Sequence, residues 1–237
     1  MKSVKKRPDI CLLLNCKTIE EIKAELELFG EDCQMVQWCA DKNSGVDHYS
    51  KEEFVQVLKL IKAMCHRKTF IFQYRGTEEE EETTNRMLRY AMGTADYIDI
   101  DWKNSQLKQL LKEAKRKRTK TLVTYHELER ILTKEEIATE FIKMEKIPAD
   151  MLAIVAFANE EKDAYALLEG AYAYNQLKGH KPFLAITMGE EGQASRICGG
   201  DFGSVMTYAC GSRPTAPGQF NASDLKRYMD KYYKDDK

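Results

Sequence analysis

The sequence predicts an α/β fold, a single (β/α)8 barrel over residues 1–237, and three observations carry that expectation. Eight apolar runs of strand length alternate with eight charged segments of helical period. The runs are nearly continuous in their apolar character, as strands are when both faces of a parallel sheet are covered. No linker or low-complexity stretch interrupts the alternation, the one biased run being Glu78 to Glu82, which reads as a solvated first helical turn. An open doubly wound sheet is the alternative. Its dinucleotide-binding version loses ground because Asn15-Cys-Lys-Thr18, not Gly-x-Gly-x-x-Gly, follows the first run.

Taken in order, the strands are expected at 10–15, 35–40, 69–75, 97–102, 121–126, 151–158, 182–187 and 204–210. The helices follow at about 18–29, 51–66, 80–93, 104–118, 133–147, 161–178, 190–195 and 222–235, the seventh being short. Thr18, Ser50, Thr133 and Ser223 stand where N-caps are wanted, and Thr18-x-x-Glu21 and Thr133-x-x-Glu136 fit the capping box. The basic run Lys115 to Arg118 closes the fourth helical segment, where cations complement the helix dipole.

Composition narrows the function. With 37 basic against 38 acidic residues the chain has no field to steer it to nucleic acid or to an anionic membrane, so neither is expected as a partner. The basic opening MKSVKKRP is followed by only the short apolar stretch Asp9 to Asn15, too short for a secretory core or a span. Seven cysteines (11, 16, 33, 39, 65, 198, 210) contain no Cys-x-x-Cys pair, which argues against a disulfide framework and a zinc site and for a reducing cytoplasm.

The stretch Ser195 to Phe220 concentrates five glycines around the last strand. It reads either as a binding wall or as a Gly/Pro-rich surface loop. In the first reading Gly199, Gly200 and Gly203 admit a ligand close to backbone, Arg196 offers a planar fork to a carboxylate, and Thr215-Ala-Pro-Gly-Gln219 forms a lid turn.

Polar residues also recur two apart toward the C-terminal ends of the strands: Gln37, Cys39 and Asp41, then Gln73 and Arg75, Asp99 and Asp101, and Thr124 and His126. In a barrel these face one mouth together with Arg196 and Gln219. Asp99 and Asp101 suit hydrogen-bond acceptors for barrel hydroxyls and amides better than a metal site, and Arg75 suits either their structural partner or a ligand contact. Several ionisable groups at one mouth point to general acid/base chemistry, His126 being the side chain that titrates near neutral pH.

With those residues placed, the chain resembles type I 3-dehydroquinate dehydratase over nearly its whole length. The family's Glu-x-Arg-x-Asp after strand two reads Gln37-Trp-Cys39-Ala-Asp41 here, its arginine and glutamate after strand three read Arg75 and Glu79, and its Tyr-His reads Tyr125-His126. Its C-terminal signature is matched by Ser195-Arg196, Phe202-Gly-Ser204 and Thr215-Ala-Pro-Gly-Gln219.

The resemblance implies a dimeric TIM barrel that dehydrates 3-dehydroquinate without metal or organic cofactor. It assigns proton transfer to His126, oriented by Glu79, and substrate binding to Gln37, Cys39, Arg75, Arg196, Thr215 and Gln219. The family forms a Schiff base through a strand-six lysine, and this chain has Ala153 there. The charges at positions 37 and 39 have gone as well. Two functions therefore compete: a dehydratase with impaired or lost covalent catalysis, and a non-catalytic protein that binds a quinate-like acid or a partner.

Overall fold

In the computed structural model, which describes residues 6–43 and 45–234, every apolar run forms a strand of one parallel sheet. The strands are β1 (Asp9–Leu14), β2 (Met35–Cys39), β3 (Thr69–Gln73), β4 (Tyr97–Asp101), β5 (Lys120–Glu127), β6 (Met151–Phe157), β7 (Phe183–Met188) and β8 (Met206–Cys210). They pair in the order β7-β6-β5-β4-β3-β2-β1-β8, and the sheet curls until a bridge between Phe183 and Ser204 brings its edges together. There the Val205 amide donates to the Phe183 carbonyl at 2.9 Å. Residues 1–5 of the basic opening, and residue 235 of the last expected helix, lie outside the described residues.

Period-two alternation divides the core. Outward side chains such as Leu12, Val36, Phe70, Ile98, Val123, Leu152 and Ala185 join the helices in the larger apolar cluster. Inward side chains, among them Cys11, Met35, Ile71, Leu122, Ala153, Val155, Leu184, Ile186 and Met206, fill the barrel interior.

The helices are α1 (Ile19–Phe29), α2 (Lys51–Met64), α3 (Glu81–Ala91), α4 (Leu107–Arg116), α5 (Lys134–Glu145), α6 (Glu161–Asn175), α7 (Gln193–Cys198) and α8 (Ala222–Tyr232). Ser50 and Thr133 cap α2 and α5 in full capping boxes with Glu53 and Glu136. Thr18 caps α1, but the Glu21 carboxylate turns to the Lys17 amide rather than to Thr18. The last helix is capped by Asn221, whose side chain accepts from the Asp224 amide, and not by Ser223, which is the second residue of the helix. The seventh segment is a 3-10 turn at Glu190–Gly192 followed by α7, so Arg196 sits inside a helix rather than after one. All seven cysteines are free thiols.

Candidate functional site

At the C-terminal ends of the strands a cavity of about 260 Å³ opens into the barrel mouth. It is lined from β2 by Gln37 and Cys39, from β3 and β4 by Gln73 and Asp99, and from β5 by Thr124 and His126, with Arg75, Arg196, Thr215 and Gln219 around them. The inward positions of neighbouring strands converge here because parallel register and barrel stagger stack them at one level.

The floor is a hydrogen-bonded chain across five strands. Tyr208 Oη donates to Gln37 Oε1 at 2.9 Å, and Gln37 Nε2 donates to Gln73 Oε1 at 3.1 Å. Gln73 Nε2 and Thr124 Oγ1 then donate to Asp99, at 3.1 and 2.6 Å. Burial drives the Asp99 carboxyl above its ordinary pKa, against the pull of Arg75 and the Thr124 hydroxyl. Gln37 and Gln73 touch the cavity, yet their amides are engaged within the floor.

Above the floor stands a charged cluster. Arg75 lies 3.6 Å from Asp99 and 3.7 Å from Asp101, and its Nη1 is 3.0 Å from His126 Nε2. A guanidinium has only donors, so Nε2 accepts and the ring proton sits on Nδ1, facing Asp101 Oδ2 at 3.8 Å. Burial, reinforced by Arg75 and opposed by Asp101, keeps the imidazole below its usual pKa and neutral. Asp101 is held low: burial opposes its ionisation, but His126, the Lys103 amide and Arg75 together outweigh it.

Glu79 is not beside His126. It is exposed on the 3-10 turn Glu78–Glu80, ahead of α3, and the carboxylate facing the imidazole is Asp101, which alternates inward on β4. The expected orienting role of Glu79 has no geometric basis here, because its turn projects to solvent.

On the opposite side Arg196 is 1% exposed, and its Nε has no hydrogen-bond partner. Among the described residues no carboxylate lies within ion-pair distance of it, and burial pulls the guanidinium down to about 10. Helix α7 is seated for this purpose: Ser195 Oγ donates to the Gly192 carbonyl at 2.8 Å and accepts from the Thr187 amide, while Thr207 Oγ1 donates to the Arg196 carbonyl at 2.9 Å. The loop over the mouth is tied by Gln219 Oε1, which accepts from the Thr215 amide and hydroxyl at 2.6 and 2.9 Å. Gly218, at φ +75, passes so close to the Gly189 carbonyl that a Cβ would lie 2.0 Å away.

The glycines of the expected binding wall lie elsewhere. A Cβ on Gly200 would meet the Lys6 carbonyl at 2.1 Å and Tyr233 Oη at 2.8 Å, and Gly203 packs on Asn175 and Phe183. They serve the return from α7 to β8, at the end of the barrel away from the mouth, where chain segments cross tightly. Ala153 is fully buried in the barrel interior, in register with Thr124, and the cavity is met instead by Val155 two residues on.

Sequence reasoning missed Lys42, Asn15 and Tyr208, and an apolar wall of Leu13, Val155, Ile186 and Met188. For Asn15, Tyr208 and the apolar wall the inward period-two positions were the available signal, whereas Lys42 ends the 3-10 turn Ala40–Lys42 after β2, outside that alternation. Lys42 Nζ pairs with Asp41 Oδ2 at 2.7 Å, and that hydrogen bond and charge raise its pKa. Burial pushes the Cys39 thiol up to about 12.

Residues 10–236 match the family profile described as type I 3-dehydroquinase. The 3-dehydroquinate dehydratase of Bacillus licheniformis is 29% identical over 234 residues, covering 94% of this chain and 91% of that one. That of Clostridium novyi is 27% identical over 233 residues, with 94% and 91% covered. Among solved structures, a type I 3-dehydroquinate dehydratase from Clostridium difficile with covalently modified comenic acid superposes with a TM-score of 0.87 at 23% identity, covering 98% of this chain and 94% of that one.

Proposed function

This chain belongs to the type I 3-dehydroquinase family, and we propose that its barrel mouth binds a 3-dehydroquinate-like carboxylic acid without forming a covalent imine to it. The observation that carries this reading is Arg196, a buried cation on the cavity wall with no acid beside it among the described residues. Burying an unpaired charge costs stability, and a ligand carboxylate supplies the missing counter-charge through paired N–H donors.

Imine formation needs a neutral amine at the substrate ketone. The family's lysine position is Ala153, and Lys42, the lysine at the cavity, is held as an ammonium by Asp41. Proton abstraction is hindered separately. A general base must present a lone pair, and that of His126 Nε2 already accepts from Arg75, so Arg75 has to move before the ring can take a proton. Both blocks fall on the dehydration step and neither on carboxylate binding, so binding outlasts turnover. The homodimer that the family resemblance implies is part of the proposal, to be checked by light scattering on the eluting protein. Seven free thiols fit a reducing compartment.

The test has three readouts with 3-dehydroquinate: absorbance of the enone product, borohydride trapping followed by mass spectrometry, and calorimetric binding. We expect no trapped adduct, little or no enone, and binding that is lost in Arg196→Ala. An adduct on any lysine would falsify the non-covalent reading, and enone formation at family-like rates would return the protein to the catalysts.

A further inference from the structure

We infer that the acid this site prefers is flat and unsaturated, of the hydroxybenzoate type, rather than a saturated ring bearing several hydroxyls. The inference rests on the carboxylate reading above and adds the kind of ring the carboxylate is attached to. Apolar side chains line the cavity from β6 and β7, Val155, Ile186 and Met188, and from β1, Leu13, with Tyr208 of β8 between the two groups. Val155 and Ile186 are neighbours in register, 6% and 2% exposed, and continuous with the apolar barrel interior. None of these apolar side chains offers a hydrogen bond. The floor offers little more, since Gln37 donates to Gln73 and accepts from Tyr208, while Gln73 donates to Asp99. A ring hydroxyl turned to the apolar wall gives up water and receives nothing, and at the floor it finds only the spare lone pairs of Tyr208 and Thr124, whereas the edge and face of an unsaturated ring are favourably buried there.

The polar groups left to a ligand deep in the cavity stand at two opposite ends, with Asn15, Lys42 and Thr215 at the rim. Arg196 follows β7, while Arg75 follows β3, and in this eight-stranded order those strands are four apart and face each other across the mouth. Arg75 Nη2 and His126 Nδ1 are buried without hydrogen-bond partners, though Asp99 and Asp101 stand 3.6 and 3.8 Å from them, and Arg196 Nε is buried without one as well. A carboxylate on Arg196 and a single oxygen at the Arg75–His126 end therefore describe the ligand, with an apolar ring between them. A cavity of about 260 Å³ holds one such ring. 4-Hydroxybenzoate carries these two groups at opposite ends of a flat ring; quinate carries the carboxylate on a puckered ring with hydroxyls on several sides.

Calorimetric titration of the intact protein with 4-hydroxybenzoate, quinate and 3-dehydroquinate tests this. The expected result is that 4-hydroxybenzoate binds about tenfold or more tightly than quinate, the consequence of one buried hydroxyl left unpaired. Val155→Thr, nearly equal in shape, places a hydroxyl on the apolar wall and narrows that ratio; Ile186→Thr does the same should the first variant melt early by circular dichroism. Quinate or 3-dehydroquinate binding as tightly as the aromatic acid overturns the inference and leaves the carboxylate reading standing. A ratio unmoved by both threonine variants also overturns it, because the preference then lies outside this wall. If none of the three acids binds, the carboxylate reading itself fails and this inference with it.

Discussion

On the side of β2 to β5 the mouth carries Arg75 between Asp99 and Asp101, at 3.6 and 3.7 Å, with His126 bonded to the same guanidinium. Across from it, on the side of β6 to β8, Arg196 stands among apolar residues with no carboxylate in reach among the described residues. The first half balances its half-buried charge internally, Arg75 against Asp99 and Asp101, although Arg75 Nη2 and His126 Nδ1 keep no hydrogen-bond partner. The second half leaves a cation uncompensated, so its electrostatics are completed only from outside. A buried ion pair is a structural feature until shown otherwise, whereas a buried unpaired ion on a cavity wall points to a ligand.

The largest effect separating the halves is expected at Arg196. Arg196→Met keeps most of the side-chain volume and removes the charge; carboxylate affinity measured by calorimetry should fall by about 100-fold or beyond detection. The melting temperature should rise, by about 2–4 °C for each kcal/mol of relieved desolvation. A variant that binds normally or melts lower would mean that Arg196 is paired in solution after all.

On the other half the sign reverses. Asp99→Ala leaves the Thr124 hydroxyl, the Gln73 amide and Arg75 without their shared acceptor. A loss of about 3–5 kcal/mol is expected in urea unfolding. A change below about 1 kcal/mol would show that the cluster is not self-supporting.

A smaller loss is expected far from both halves. Gly200→Ala forces a methyl against the Lys6 carbonyl and should cost about 1–3 kcal/mol while leaving carboxylate affinity unchanged. Weakened binding in this variant would put the glycine back at the ligand.

The smallest effect is in pH dependence. The folded pKa of His126 lies below the ordinary 6.5, so the unfolded chain takes up its proton first as pH falls. This residue therefore costs nothing above about pH 6.5, and its stability penalty grows as pH drops from there toward the folded pKa. His126→Gln should flatten the urea midpoint across that interval. An unchanged slope would assign the dependence to groups other than His126, and not to Asp101, which, held low, loses its contribution only as pH falls through its own depressed pKa, below the ordinary 3.8.

Strand number, strand order of appearance and the inward parity of Gln37, Cys39, Gln73, Asp99, Thr124 and His126 were legible in the chain. Each follows from local periodicity, which a single strand already expresses. Arg196 and the Thr215–Gln219 turn were legible as residue types and as matches to a motif. The partners were not. That Asp101 rather than Glu79 faces His126, that Gln37 and Gln73 are bonded to each other and to Tyr208 and Asp99, and that Gly200 packs on Lys6 depend on contacts between segments far apart in the chain.

What the sequence alone determined is therefore the alternation of eight strands and helices, and with it the level at which their polar ends meet. The absence of a lysine at position 153 was equally plain there. Only the tertiary structure decided which buried charges are paired, because pairing depends on distances of a few ångströms between strands that local periodicity leaves free. By that measure Arg75 is held among carboxylates while Arg196, among the described residues, is not.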